Sequence, residues 1–292
     1  MLDVLVLQPR GFQARVTWLE LPLLKLLRLQ EASTRIAFVR LPPEFIFITF
    51  PIVRGTPLIC DGIELRFGEI MFHGRGDRFH QRTAGPCRWG TVSLTPSSLS
   101  AWSMTIIGQS LTPPLVRQIL RPSDSDHGML MRLHNEAARL AEHAPVRISH
   151  TEVVRALEND LLLALLNCLA PDEVAPGAQA VDQDASALAR FEDMVSAQPY
   201  RLYRAREIRD ALNMSDHAFR ASCASVLGMS FSRYQRLRRL KRIRADLLRA
   251  EAADVVGIIT RYGFPDVHRF VAEYWRTYGE VPALPNRTKA DR

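Results

Sequence analysis

The residues best suited to hold a metal ion lie between positions 69 and 80. His73 and His80 stand seven residues apart, with the carboxylates of Glu69 and Asp77 around them. Imidazole and carboxylate groups are usual ligands of iron and zinc, but they must be clustered on one face, typically as a His-x-His pair. The eight histidines of the chain include no such pair. We therefore predict no metal, no cofactor and no catalytic residue here.

Motifs that serve other enzyme chemistry are also missing from the sequence. No Gly-x-Ser-x-Gly nucleophile turn and no phosphate-binding glycine loop occurs, and Gly74-Arg75-Gly76 lacks the third glycine of a dinucleotide fingerprint. We predict that the protein is not an enzyme.

A basic segment beside these histidines could bind a small anionic effector. Guanidinium groups pair with carboxylates and phosphates through two parallel hydrogen bonds. Surface ion pairs also explain such residues, so effector binding is a hypothesis. The candidates are Arg75, Arg78, His80 and Arg82.

Positive charge is concentrated in the last third of the chain. The 292 residues hold 38 Lys and Arg against 31 Asp and Glu, and residues 186–292 contain 20 and 12 of these. The excess lies behind the segment 171–186, which is small, polar and without helical period. Such a concentration favours a polyanionic partner. We predict two domains, 1–170 and 187–292, joined by the linker 171–186.

The elements that must position these residues differ between the two halves. From about 35 to 107, short β-branched and aromatic runs alternate with Gly and Pro, which is typical of a small antiparallel barrel or sandwich. Asp61-Gly62 between two apolar runs predicts a tight hairpin. From about 124 the apolar period predicts two helices, the second over Val153–Leu169. Leu161–Leu166 is more apolar than one helix face needs, which fits burial against the barrel or a dimer interface.

The last third predicts two helix-turn-helix units, 206–227 and 254–277. In each unit a short helix is followed by a turn, and a capping residue, Ser215 or Asp266, opens the second helix. A basic connector helix, 232–249, separates the units. At a rise of 1.5 Å per residue it is roughly 25 Å long, so it could hold two recognition helices about one DNA turn apart.

This region resembles the DNA-binding domain of the AraC/XylS family of transcription regulators. The resemblance spans about 187–288 and includes a Gly-Phe turn, aromatic residues six and ten positions later, and a closing Gly-x-x-Pro. The residues that carry it are Leu227-Gly-Met-Ser230, Tyr234, Leu237-Arg-Arg-Leu240, Leu247-Leu248, Ile258-Ile259, Tyr262-Gly-Phe264, Phe270, Tyr274 and Tyr278-Gly-Glu-Val-Pro282. It implies an α+β fold: an N-terminal cupin-like β-barrel with two helices, then an all-α domain of two helix-turn-helix units joined by a connector helix.

The resemblance also implies which side chains face DNA. The base-facing candidates are His217, Arg220, Ala221, Val267, His268, Arg269 and Ala272. Ala221 and Ala272 stand where family members often place Arg, so Arg220 and Arg269 could read guanine instead. The phosphate-contacting candidates are Ser215, Arg236, Arg238, Arg239, Lys241 and Arg242.

The function implied is a sequence-specific, homodimeric regulator of transcription, in the first place an activator that binds double-stranded promoter DNA and acts on RNA polymerase. A small-molecule effector would act through the N-terminal barrel. Four widely spaced cysteines favour the cytoplasm, and no run is apolar enough to span a membrane. Two alternatives stay open: a cupin-type barrel enzyme with an appended DNA-binding domain, and a DNA-binding module without sequence specificity.

Overall fold

The computed structural model describes residues 2–7, 11–148, 150–170, 183–249 and 255–282. Strands occupy the first part of this range and helices the last part, which confirms the α+β fold class. The strands are β1 Leu2–Val6, β2 Ala14–Glu20, β3 Lys25–Glu31, β4 Arg35–Arg40, β5 Ile46–Pro51, β6 Leu58–Cys60, β7 Ile63–Leu65, β8 Ile70–Phe72, β9 Arg78–Thr83, β10 Cys87–Leu94 and β11 Gln118–Leu120.

The strands form two antiparallel sheets. Sheet A has the order β1-β4-β9-β6-β7, and sheet B has the order β11-β8-β5-β10-β3-β2. Every apolar run that the sequence predicts as a strand is one. The structure adds β1, β2, β3 and β11, which sequence reasoning missed. In β3 the charged residues Lys25 and Arg28 interrupt the apolar pattern, and both side chains are half-buried.

Asp61 and Gly62 form the predicted hairpin turn between β6 and β7. Both residues have positive φ, 47° and 83°, as a two-residue type I′ turn requires. The Asp61 carboxylate is buried, and it accepts hydrogen bonds from the His80 backbone N–H (2.7 Å) and from Arg117 (2.7 Å). The turn therefore also places a carboxylate beside sheet A.

Successive side chains of a strand point to opposite faces of the sheet, and this alternation decides what each residue of sheet A contacts. Val39 on β4 and Phe79 on β9 pack between the sheets. Ile36, Phe38 and His80, on the same two strands, face away from sheet B. Ile36 shares a core with the C-terminal helices, and the Phe38 and His80 rings lie 4.9 Å apart and tilted at 43°. The outer face of sheet A is therefore covered by the helical part of the chain.

Helices cover the outer face of sheet B. They are α1 Pro96–Ile107, α2 Asp124–His143, α3 Pro145–Ile148 and α4 Thr151–Leu169. α2 and α4 are the two predicted helices, and they share one core with Ile48 and Phe50 of sheet B. Among the described residues, no helix combines the length and apolar character that crossing a bilayer requires.

The broad apolar face of α4 is buried within the chain. Leu161 and Leu165 have no exposed area. Glu158 on the same helix accepts hydrogen bonds from the backbone N–H groups of Leu23 and Leu24 at 2.5 and 3.1 Å. Of the two explanations for this apolar segment, the structure supports burial. A dimer interface through these two leucines is ruled out in this conformation, because none of their surface is left to bind a partner.

Among the described residues, the last third of the chain contains six α-helices. They are α5 Gln183–Ala197, α6 Ala205–Ala211, α7 Asp216–Ser222, α8 Phe231–Leu247, α9 Val255–Arg261 and α10 Val267–Tyr278. A π-helical turn, Cys223–Leu227, follows α7, where the sequence predicts a continuous α-helix. Residues 171–182 of the predicted linker and Asp254 lie outside the described residues; the last four linker residues belong to α5.

Candidate nucleic-acid interface

α6 and α7 form the first helix-turn-helix unit. The turn between them contains Asn213, whose φ is 55°. The Ser215 hydroxyl accepts a hydrogen bond from the Ala218 N–H (3.2 Å), so it caps α7 as predicted. Gly228, with φ 67°, ends the π-helical turn. These residues fix where the recognition helix begins and ends, and thus which of its residues face solvent.

α9 and α10 form the second unit, which is built in the same way. Asp266 caps α10 by accepting hydrogen bonds from the N–H groups of His268 and Arg269 at 2.8 and 3.2 Å. Gly263 in the turn has φ 77°, and Gly279, with φ 74°, ends the helix. α8 connects the two units, as the sequence predicts.

Most of the predicted base-facing residues are exposed on α7 and α10. They are His217, Arg220, Ala221, His268, Arg269 and Ala272. Arg220 pairs with Asp216 (2.9 Å), and Arg269 lies 3.7 Å from Glu273. Both guanidinium groups stay about three-quarters exposed, and ion pairs of this kind are weak enough to be replaced by a DNA contact. Val267 differs, because it is half-buried against the core of the second unit.

The exposed face of α10 extends one turn further than the sequence predicts. Trp275 is 53% exposed, and Arg276 beside it is exposed as well. They lie three and four residues after Ala272, the helical spacing that places side chains on one face. This spacing is the signal that could have identified them.

The connector residues predicted to contact phosphate occupy different settings. Arg236 is exposed, Arg239 is half-buried with its guanidinium over the Phe264 ring (5.3 Å), and Lys241 pairs with Asp3 of β1.

Two further arginines of the connector are committed to contacts within the chain. Arg238 is 7% exposed and pairs with Glu192 and Asp3. Arg242 donates to the carbonyl oxygens of Val195 and Pro199 at 3.5 and 3.1 Å. These partners argue against phosphate contact by either residue in this conformation, because their donors already serve the packing of α8. The sequence shows the basic stripe but not which of its members are turned inward.

Three of the four effector candidates lie on β9 and face the helical part of the chain. Arg78 donates to Asp193 (2.5 Å) and to the Ala189 carbonyl (3.0 Å). Arg82 donates to the Ser225 carbonyl at 3.2 Å. His80 lies 3.1 Å from Glu192. These side chains join sheet A to α5 and to the π-helical turn. Arg78 also borders a cleft, together with the fourth candidate, Arg75.

Glu192 on α5 is the centre of this contact, and sequence reasoning missed it. Its side chain is 1% exposed and accepts a hydrogen bond from the Tyr234 hydroxyl (2.7 Å). It also pairs with His80 and Arg238. A strand of sheet A, α5 and the connector helix thus meet at one carboxylate. A single acidic residue on a short helix carries no pattern that would have predicted this.

The pKa values of Glu192 and Arg238 favour an ion pair between the two side chains. Burial acts to raise the pKa of Glu192, but the hydrogen bond with His80 and the charge of Arg238 outweigh it and hold the pKa below its ordinary value. Burial acts to lower the pKa of Arg238, yet the charge of Glu192 raises it above the ordinary value. Glu192 is therefore a carboxylate and Arg238 a cation at neutral pH.

The two histidines considered as metal ligands do not converge. His73 lies 3.0 Å from Asp77 and 3.1 Å from the Thr49 hydroxyl, whereas His80 points to Glu192 outside sheet A. Within the part of the chain that the structure describes, no three His, Cys, Asp or Glu side chains are arranged to hold a metal.

Comparison with protein families assigns the helical region. Residues 208–284 match the model of a helix-turn-helix domain, from within α6 to just beyond α10. The match confirms the AraC-type helix-turn-helix that the sequence predicts there. Residues 208–284 therefore form a helix-turn-helix domain of the AraC type, in which α7 and α10 are the exposed second helices of the two units.

Three solved structures are similar to the chain at low identity. The AraC-like transcriptional activator CuxR is 15% identical with a TM-score of 0.41, over 84% of this chain and 86% of that one. ToxT from Vibrio cholerae O395 is 15% identical with a TM-score of 0.30, over 94% and 96%. ToxT from Vibrio cholerae strain SCE256 with bound unsaturated fatty acid is 12% identical with a TM-score of 0.32, over 97% and 92%. No curated protein matches the sequence significantly.

Proposed function

We propose that the protein is a cytoplasmic, sequence-specific regulator that binds promoter DNA with both recognition helices at once. The observation that carries this proposal is a shared register. His217 and His268 each stand two residues after the cap of their helix, and Ala221 and Ala272 each stand six residues after it. All four are exposed. Two equivalent faces on one chain suit two successive major-groove segments.

Site selection from random duplex DNA, made with the full-length chain, tests this function. The full chain is needed because the core of the first unit includes Leu5 and Ile36 of sheet A. We expect a selected sequence to bind about 10³-fold or more tightly than a scrambled duplex. With about six phosphate contacts, log affinity against log salt should have a slope near −5. Equal affinity for both duplexes would instead indicate a module without sequence specificity.

Base contacts are assigned to Arg220 and Arg269, and phosphate contact to the exposed Arg236. Bidentate hydrogen bonds from Arg to guanine are the commonest specific contact in the major groove. Arg236 is half exposed and lies 3.9 Å from Glu273, a loose pair that leaves it free to turn toward a phosphate.

The regulator is proposed to act as an activator on RNA polymerase, as the resemblance implies, and as a homodimer. Its dimer interface would lie on β2, the edge strand of sheet B, where Val16 and Trp18 are 59% and 54% exposed. An exposed edge strand offers backbone groups that a second copy can pair with. Trp18→Lys should convert the dimer to a folded monomer in sedimentation, and an unchanged dimer would contradict this interface.

Transcription in vitro from the selected site tests activation.

A further inference from the structure

A cleft lies where sheet A meets α5. Its walls are the loop between β8 and β9, the segment before β11 and the middle of α5. Its volume is about 360 Å³, which lies within the roughly 300–1,000 Å³ of small-molecule sites. The cleft is therefore large enough for a small metabolite, and it belongs to both parts of the chain.

Four arginines line this cleft. Arg75, Arg78 and Arg117 come from the β-sheet part, and Arg190 comes from α5. The one carboxylate in the lining belongs to Asp77, and it is already paired with Arg117 (2.9 Å) and with His73 (3.0 Å). Arg78 pairs with Asp193, and Arg117 also pairs with Asp61. The excess of positive charge therefore rests on Arg75 and Arg190, for which the described residues show no ion pair.

Arg117 is the buried member of this group, with 5% of its surface exposed. Its two terminal nitrogens donate to Asp61 (2.7 Å) and Asp77 (2.9 Å), whereas its Nε is buried and has no partner among the described residues. The buried Nε of Arg78 is likewise without a partner there. Buried donors that find no acceptor are costly, so these two arginines keep unused donor capacity beside the cleft.

One wall of the cleft is apolar and open. Leu115 is fully exposed, and Val116 is 41% exposed. The backbone before β11 is held close to the loop, because a Cβ on Gly74 would lie only 3.0 Å from the Leu115 carbonyl oxygen. The exposed leucine thus sits on a fixed segment at the edge of a positively charged cleft, where a bound molecule would cover it.

We propose that this cleft binds a small organic anion, with its carboxylate or phosphate on the arginines and its apolar body on Leu115 and Val116. Arginine forks match both anionic groups. The proposal deepens the effector response under the proposed function, since it names the ligand class and the site. It also corrects the candidate set: Arg75 and Arg78 stay, Arg117 and Arg190 join them, and His80 and Arg82 belong to the neighbouring contact.

A bound anion would act on both parts of the chain. Arg190 is on α5, and the other three arginines belong to the β-sheet part, so the ligand would strengthen their contact. Arg117 also begins a path of polar contacts: it pairs with Asp61, which holds the His80 backbone N–H, and His80 contacts Glu192 beside the connector helix. A ligand that binds Arg117 would therefore be linked to the surroundings of α8 by a chain of hydrogen bonds.

Isothermal titration of the full-length protein with benzoate, phenyl phosphate and uncharged benzamide, at constant ionic strength, tests the site. We expect at least one anion to bind and benzamide to bind far more weakly. The double variant Arg75→Ala/Arg190→Ala should weaken the anion by about tenfold or more, because each charge-assisted hydrogen bond lost is among the strong ones. Arg139→Ala, which removes an exposed arginine of α2, is the matched control and should bind normally.

The two anions distinguish carboxylate from phosphate recognition. Equal binding of benzamide, equal binding by the double variant, or no binding of either anion would overturn the proposal. Affinity for the selected duplex, measured without anion in the same variants, separates this result from the proposed function. A chain that binds DNA but no anion refutes the site alone, whereas one that binds the anion but no specific DNA refutes the function alone.

Discussion

The two helix-turn-helix units have the same local design but different surroundings. The core of the first unit contains Phe191, Phe219 and Phe231, and it extends into sheet A through Leu5 and Ile36. The core of the second unit is built from the end of α8 and from α9 and α10, around the fully buried Phe270.

This difference assigns unequal roles to the units. Because the first unit shares a core with sheet A, its orientation follows that of the β-sheet part. The second unit is joined to this assembly through the connector helix and through Tyr200, whose ring lies 5.0 Å from that of Tyr262. A ligand between sheet A and α5 would therefore act first on the orientation of α7, and less directly on α10.

The largest expected effects come from a matched pair of core truncations. Phe191 and Phe270 are both fully buried, so each change to Ala should cost about 3–5 kcal/mol of folding free energy. Phe191→Ala should speed backbone hydrogen exchange in α7 and also in β1 and β4, since the core is shared. Phe270→Ala should speed exchange in α9 and α10 alone. Equal loss of protection in β4 in both variants would show that the two units are not separate.

The ion pair at Glu192 should come next. Glu192→Gln leaves the buried Arg238 with Asp3 as its remaining carboxylate partner, which we expect to cost about 3 kcal/mol in urea unfolding. The neighbouring Asp193→Asn is the matched control, because the half-exposed Asp193 pairs only at the surface and should cost less than about 1 kcal/mol. Equal costs would contradict the central place given to Glu192.

The same pair predicts a loss of stability in acid. The pKa of Glu192 lies below its ordinary 4.5 in the folded chain. Its contribution is therefore complete above that ordinary value and is lost as the pH falls through the lower, folded-state pKa. Glu192→Gln should remove this part of the acid dependence of unfolding.

A second group whose titration affects stability is His134, on α2, which packs against sheet B. Burial lowers the pKa of His134 to about 4, against which its hydrogen bond with the Leu27 carbonyl acts only weakly. The unfolded chain binds this proton more readily, so stability should fall by about 3 kcal/mol between pH 6.5 and 4. His134→Leu should flatten this slope, and His143→Leu, at an exposed site of the same helix, should not. Protection of α10 from hydrogen exchange should not show this pH dependence. If it did, the stability of the second unit would depend on the core of sheet B.

How far the sequence predicts this molecule depends on whether the determining contacts are local. Caps and turns, such as Ser215, Asp266 and Asp61-Gly62, act within a few residues and are readable from the sequence. The inward turn of Arg238 and the roles of His80 and Glu192 depend on residues more than forty positions apart. Those pairings are set by the packing of whole elements, which composition and period do not contain.

The smallest expected effects test base reading by the two units. Arg220→Ala and Arg269→Ala should each cost about 1–3 kcal/mol of binding to the selected site and relax preference at one base position. The unit fixed to sheet A has the better-defined orientation, so we expect Arg220→Ala to change the selected motif more sharply.

Arg236→Ala should weaken all duplexes alike and reduce the salt slope by about one. Ala221 and Ala272 offer only a methyl group, so preference at the bases they face should be for thymine or absent. Site selection with each variant is the measurement. If Arg236→Ala rewrites the motif while Arg220→Ala and Arg269→Ala leave it unchanged, then α8, not α7 and α10, reads the bases.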